Sequence, residues 1–135
     1  MLWAPVLVTF AAVAVGCGSG TEPNEVRLAE EFTLAPGESA RIQGESLTVA
    51  FDSVTSDSRC PSNVNCVWEG DAVVVVTLTH PARERASVEL HSSGRFARSV
   101  RYGDFEVALV KLAPEPREGS PISQTAYRAT LQVTR

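Results

Sequence analysis

Apolar and polar residues alternate with a period of two over most of the chain, and this pattern constrains the fold more than any other feature. Such a period places apolar side chains on one face of a β-strand and polar side chains on the other. The clearest example lies near the end of the chain, where Tyr127, Ala129, Leu131 and Val133 alternate with more polar residues. Strands are therefore predicted there and at residues 47–52, 86–91, 96–102 and 105–109.

Residues 72–78 differ from the other segments because they are almost continuously apolar and rich in valine. A run of this kind predicts a central strand that is covered on both faces. Two earlier strands are predicted at residues 26–34 and 40–42, and no segment after Cys17 shows a helical period. The pattern predicts an all-β fold, an antiparallel β-sandwich of about six to eight strands. A barrel is less favoured, because nothing in the sequence fixes its closure.

The first 16 residues are predicted to be a signal segment. Residues 2–15 carry no charge and are mostly apolar. They are too few to span a bilayer, which takes roughly 20 residues, but they fit the apolar core of a secretory signal. Residues 14–17, Ala-Val-Gly-Cys, resemble the lipobox of bacterial lipoproteins. The resemblance implies cleavage before Cys17 and a diacylglyceryl group on its thiol, whereas a plain secretory signal or a buried helix is the alternative.

This interpretation divides the chain into a signal segment (1–16), a flexible polar tether (17–25) and a β-sandwich domain (26–135). A stretched tether of this length spans roughly 30 Å, so the domain would stand clear of the lipid surface. The lipid on Cys17 would attach the protein to a membrane of the cell envelope, with the domain outside the cytoplasm. Gly18 follows the lipobox cysteine, which by the same resemblance favours the outer membrane if the cell is Gram-negative.

The three cysteines support this division. If Cys17 carries lipid, Cys60 and Cys66 remain as one pair, separated by a segment of turn-forming residues. An oxidising compartment would let the pair form a disulfide. A zinc site or a redox pair is the alternative, but the sequence has no second Cys/His pair at zinc-ligand spacing and no C-x-x-C motif.

The segment around this pair is the densest group of distinctive residues in the chain. Asp57 can accept backbone N–H groups or pair with Arg59. Trp68 offers a large apolar ring that could lie against the disulfide or cap the end of the core. Gly70 permits a positive φ before the apolar strand. These features predict a compact, stapled loop between two strands.

The same segment resembles a widespread, largely uncharacterised family of bacterial exported and lipoprotein domains with the motif D-S-R-C-P-x-x-V-x-C-x-W-x-G. Residues 105–116, Ile122 and residues 127–131 also resemble the closing hairpin of that family, whereas Glu69 stands where such members often have alanine. The resemblance implies a family but no activity. The matching residues are Asp57, Ser58, Arg59, Cys60, Pro61, Val64, Cys66, Trp68 and Gly70.

The leading functional hypothesis is a non-enzymatic binding module that uses the stapled loop to contact an envelope protein or ligand. Rigid loops on a β scaffold commonly serve this purpose. The structural alternative is a loop that only staples the fold, with Trp68 buried. The candidate binding residues are Asp57, Arg59, Asn63, Asn65, Trp68 and Glu69.

Two other functions remain open from the sequence. A hydrolase would draw on His80 or His91, or on the carboxylate pair Glu69 and Asp71, but no G-x-S-x-G motif supports it. A calcium site would draw on Asp52, Asp57, Glu69 and Asp71, which lack the spacing of a calcium loop. No catalytic residue, metal ligand or cofactor is therefore assigned. The net charge of −4 argues against a nucleic-acid partner.

Overall fold

The computed structural model describes residues 24–135, which form nine β-strands and one short 3₁₀ helix, Gln124–Ala126. The signal segment, Cys17 and most of the predicted tether lie outside the described residues. The strands are β1 (Asn24–Val26), β2 (Glu31–Leu34), β3 (Ser39–Ile42), β4 (Leu47–Asp57), β5 (Ala72–His80), β6 (Arg83–His91), β7 (Ser99–Tyr102), β8 (Phe105–Ala113) and β9 (Arg128–Thr134).

The strands form two sheets, and the predicted all-β sandwich is confirmed. One sheet has five strands in the order β1-β3-β4-β5-β6, and the other has four in the order β2-β9-β8-β7. All neighbouring strands are antiparallel except β1 and β3, which run parallel. Within residues 24–135, no helix is long and apolar enough to cross a membrane.

The described residues form nine strands because the segment predicted as a single first strand, residues 26–34, contributes to two strands, β1 and β2. The chain turns at Ala29, which has a φ of 64°. Before this turn β1 joins the five-stranded sheet, and after it β2 joins the other. The β1 strand also begins at Asn24, two residues before the predicted start of the β-sandwich domain. A left-handed alanine gives no signal in an apolar pattern, so the sequence did not reveal the break.

The core lies between the sheets and follows the period-two pattern. In β9, Ala129, Leu131 and Val133 are buried, and Tyr127 is buried just before the strand. The β5 strand lies inside its sheet, as predicted, with one face fully buried. Its other face is only half-buried at residues 73 and 75, because in the described part of the chain no third layer covers it. The prediction that both faces of this strand are covered was therefore too strong.

The three longest connections, residues 58–71, 92–98 and 114–127, lie at one end of the sandwich, which we call the loop end. Tight turns at residues 43–46, 81–82 and 103–104 lie at the opposite end. Arg135 contacts Glu45 and Asp104 there, which places the end of the chain beside these turns. The loop end therefore holds the longest stretches of irregular backbone in the described domain.

Candidate functional site

The predicted disulfide is present and closes the tip of the connection between β4 and β5. Cys60 and Cys66 are bonded, with their Cα atoms 5.9 Å apart. Closing a loop of this size stabilises the fold by about 2 kcal/mol in the chain-entropy model. The disulfide therefore limits the motion of residues 60–66.

An ion pair ties the base of the loop to both sheets. Arg59 donates through Nε and Nη2 to the two carboxylate oxygens of Asp57, at 2.8 and 2.7 Å. The Tyr127 hydroxyl, just before β9, donates to Asp57 at 2.9 Å. Arg59 also donates to the carbonyl oxygens of Leu112 and Pro114, at 2.8 and 3.0 Å. Bidentate charge-assisted bonds of this kind are among the strongest in proteins, so the base of the loop is held rigidly.

These contacts change the acidity of two groups. Burial alone would raise the pKa of Asp57, but hydrogen bonds from Arg59 and Tyr127 and the Arg59 charge outweigh it and lower the pKa below its ordinary value. Burial and the hydrogen bond to Asp57 raise the pKa of Tyr127. Asp57 is therefore ionised and Tyr127 neutral near pH 7, the states that their hydrogen bonds require.

The two limbs of the loop are bonded to each other. The Ser58 hydroxyl donates to the Asp71 carbonyl at 2.9 Å and accepts the Asp71 N–H at 3.1 Å. The Cys60 N–H donates to the Glu69 carbonyl at 3.2 Å. Gly70 has a φ of 70°, and a Cβ atom there would lie 1.9 Å from the Ser58 carbonyl oxygen. The predicted positive φ is confirmed, and this close approach of the limbs requires glycine.

Trp68 lies on the surface and does not cap the core. Its exposed fraction is 73%, and those of Val67 and Phe96 are 89% and 56%. Within residues 24–135 these are the exposed large hydrophobic residues, and all three lie at the loop end. We call them the apolar tip. Trp68 and Phe96 line an open cleft of about 350 Å³ together with Ser58, Gly70, Asp71, Ser93 and Arg95.

The six predicted binding residues divide into two groups. Asp57 and Arg59 form the partly buried ion pair, and Asn63 accepts the Glu118 N–H at 2.9 Å, which joins the loop to the β8–β9 connection. These three residues hold the loop in place. Trp68, Glu69 and Asn65 are exposed and available for contact.

Sequence reasoning missed Phe96 and Arg95 as part of this surface. Phe96 shares the period-two spacing of Val100 and Tyr102, which predicts that it points inward. The strand β7 begins only at Ser99, so Phe96 lies in the preceding turn and its ring is exposed. The turn-forming residues Ser92, Ser93 and Gly94 before it were the available signal.

A second cleft lies beside the first, along the open edge of β8. The β7 strand covers β8 only as far as Leu109, whose N–H donates to the Arg98 carbonyl at 2.8 Å. Beyond that point the Arg98 side chain donates to the Val110 carbonyl at 3.1 Å. The cleft has a volume of about 390 Å³, and its lining includes Arg98, Lys111 and Glu69.

His91 and Asp71, which the hydrolase hypothesis named separately, form a pair. His91 Nδ1 lies 2.6 Å from an Asp71 carboxylate oxygen, and the His91 ring lies 5.2 Å from that of Phe96. Burial alone would raise the pKa of Asp71. Hydrogen bonds from His91 and the Ser93 N–H outweigh burial, together with smaller effects of the His91 charge and Ser92, and lower this pKa below its ordinary value. The nearby Ser92 hydroxyl accepts the Ala72 N–H at 2.9 Å. The pair links the start of β5 to the end of β6, and no hydroxyl of residues 24–135 bonds the other His91 nitrogen.

The carboxylates proposed for calcium do not come together. Asp57 pairs with Arg59, Asp71 pairs with His91, and Asp52 accepts the Thr77 hydroxyl on the outer face of the sheet. Among the residues that the structure describes, no three His, Cys, Asp or Glu side chains form a group that could hold a metal ion. The structure therefore gives the calcium hypothesis no group of ligands among these residues.

Comparison with protein-family models, curated proteins and solved structures finds no match. Any functional inference for this chain therefore rests on its own sequence and structure.

Proposed function

We propose that the domain is a non-enzymatic binding module of the bacterial cell envelope, held at a membrane by a lipid on Cys17, which contacts its partner through Trp68 and the residues around it. The lipobox-like residues 14–17 support the anchor. The exposure of Trp68 supports the contact surface.

The argument depends on what the other distinctive residues of the loop do. Asp57 and Arg59 form the ion pair, Ser58 joins the limbs, and Gly70 allows their close approach. The two cysteines close the tip. Each of these residues therefore has a structural task that explains its presence.

Trp68 has no comparable task, since most of its ring lies in solvent. A loop that only stapled the fold would not need a tryptophan at this position. Exposed tryptophans on rigid supports act as hot spots in interfaces, where truncation costs at least about 2 kcal/mol of binding. The exposure of Trp68 on a loop fixed at its base is the observation that carries the proposal.

The test uses the mature chain, residues 17–135, with Cys17→Ser so that no lipid is attached. We expect this protein to co-sediment with envelope fragments of the source cell, and Trp68→Ala to weaken the association by about thirtyfold or more. Trp68→Ala should change the free energy of unfolding by less than about 0.5 kcal/mol, because the ring is exposed.

Arg85→Ala, near the opposite end of the sandwich, is the control and should leave the association unchanged. Equal binding by the wild-type chain and Trp68→Ala would contradict the proposal. So would a wild-type chain that binds no envelope component.

A further inference from the structure

Strand β6 is an edge strand with a neighbour on one side only. It lies at the end of the five-stranded sheet, and within residues 24–135 it pairs with β5 alone. The other three edge strands, β1, β2 and β7, have three or four residues, whereas β6 has nine. A short edge strand is one of the ways in which proteins prevent pairing with another chain. The β6 strand lacks that protection.

The chain itself covers both ends of β6. At one end the Tyr102 hydroxyl donates to the Glu84 carbonyl at 2.7 Å. At the other end the His91 N–H donates to the Ala97 carbonyl at 2.9 Å, and so points away from β5. Residues 85–89 lie between these two contacts, and we call them the open edge.

The main chain of the open edge has hydrogen-bonding groups without partners. In an antiparallel pair, the N–H and C=O groups of every second residue point to the same side. The register between β5 and β6 runs without a shift from Ala86 to His91. The N–H and C=O of Ser87 and Glu89 therefore point away from β5, as the His91 N–H does. Within residues 24–135, no loop or further strand bonds these groups.

The side chains of the open edge divide by face. Ala86 and Val88 pack against the core but are only half-buried, because no described element lies beyond β6 to cover them. Arg85, Ser87 and Glu89 are exposed. In the described part of the chain, neither Arg85 nor Glu89 has an opposite charge within 4.0 Å. Two opposite charges therefore lie two residues to either side of Ser87, each without a partner.

We propose that the open edge pairs with the open edge of a second copy of this chain, antiparallel and about a two-fold axis at Ser87. Ser87 of each copy then exchanges main-chain hydrogen bonds with Ser87 of the other. Arg85 of each copy lies opposite Glu89 of the other, and Ala86 lies opposite Val88. Charged residues on an edge strand normally discourage such pairing. Here each charge meets its opposite, and each apolar side chain meets an apolar one.

The charges also favour this register over a neighbouring one. If the axis moved to Val88, Arg85 would lie opposite His91, whose N–H is already bonded, and Glu89 would lie opposite Ser87. Both charge pairs would then be lost.

The proposed pairing uses the same surface of both copies, so assembly stops at two chains. This inference goes beyond the proposed function, because Trp68 is not part of the open edge. An edge of five residues buries little surface, so we expect a weak dimer with a Kd of about 100 µM.

The first experiment measures the dimer and its location. The mature chain with Cys17→Ser is followed by sedimentation equilibrium from about 1 µM to about 1 mM, where we expect a single monomer–dimer equilibrium. At the highest concentration about four fifths of the chains would be dimeric, so the Ser87 amide should exchange with solvent about fivefold more slowly than in dilute solution. The His91 amide, already bonded within the chain, should not change.

Reversal of charge tests the pairing itself. Arg85→Glu brings two acidic side chains together at each contact, and Glu89→Arg brings two basic ones together. Replacing an opposite-charge pair by a like-charge pair costs about fivefold, and the axis creates two such pairs, so either variant should dimerise about 25-fold more weakly. An equimolar mixture of the two variants should form a mixed dimer with about the wild-type affinity, because each charge again meets its opposite.

The matched controls are Arg27→Glu and Glu30→Arg. They make the same changes of charge in the exposed turn between β1 and β2, beside the opposite edge of the sheet. Alone or mixed, they should dimerise as the wild-type chain does. Envelope binding through Trp68 is measured below about 10 µM, where the chain is monomeric, so that test and its Arg85→Ala control do not depend on the dimer.

Three outcomes would overturn the inference. The first is a chain that stays monomeric up to about 1 mM. The second is a dimer that Arg85→Glu and Glu89→Arg weaken no more than the two controls do. The third is a mixture of these two variants that dimerises no better than either alone. Each of these outcomes leaves the Trp68 proposal standing, whereas loss of Trp68-dependent envelope binding with an intact dimer would contradict the proposed function alone.

Discussion

Gly70 shows how a single residue determines where Trp68 is presented. Its positive φ brings the return limb of the loop against the backbone of Ser58, and Trp68 lies two residues earlier. Any side chain at this position meets the Ser58 carbonyl. The position of the tryptophan thus depends on a glycine that contacts no partner.

Gly70→Ala is expected to destabilise the fold by at least about 2 kcal/mol, because strain at positive φ adds to a backbone clash. Gly37→Ala separates the two effects, since Gly37 has a φ of 88° but open space around it, and should cost about 1 kcal/mol. Gly94→Ala, in open space without a positive φ, should change stability by less than about 0.5 kcal/mol. Urea unfolding measures the stability of all three variants. Equal effects of Gly70→Ala and Gly94→Ala would contradict the account.

At the scale of elements, the Asp57 ion pair connects β4 to β8 and β9. Asp57 ends β4, Tyr127 precedes β9, and Arg59 reaches the carbonyls that end β8. These bonds cross from one sheet to the other. They hold the loop as part of the sandwich rather than as an appendage.

Asp57→Asn should destabilise the domain by about 3 kcal/mol at pH 7, because Arg59 would keep its charge without its partner. The pKa of Asp57 lies below its ordinary value of 3.8. Its contribution is therefore full above that value and is lost as the pH falls through the lowered pKa. Unfolding followed against pH should show the wild-type chain losing its advantage over Asp57→Asn below about pH 4. If the difference in the free energy of unfolding between the wild-type chain and Asp57→Asn stayed constant down to pH 2, this assignment would be contradicted.

The strands were largely predictable from the sequence because alternation records which face is buried. The segments at residues 47–52, 72–78, 105–109 and 127–134 all lie within or beside strands of the structure. Pairings between distant residues were not predictable, since His91 and Asp71 lie in different segments and meet only through the β5–β6 register. Phe96 was misplaced because alternation does not show where a strand begins.

At the scale of the molecule, the sandwich has two unlike ends. The loop end carries the apolar tip, and the opposite end carries tight turns. Strand β1 begins level with Leu78 of β5, nearer the tight turns than the loop end. The proposal that the domain is held at a membrane depends on a lipid on Cys17.

The most direct test is the intact mass of the protein purified from its own cell envelope without reductant. We expect a chain that begins at Cys17 and carries the mass of its acyl groups, with no cysteine open to alkylation, since Cys60 and Cys66 are joined. A chain that retains residues 1–16, or one that begins near Cys17 with a free thiol there and no acyl mass, would contradict the account.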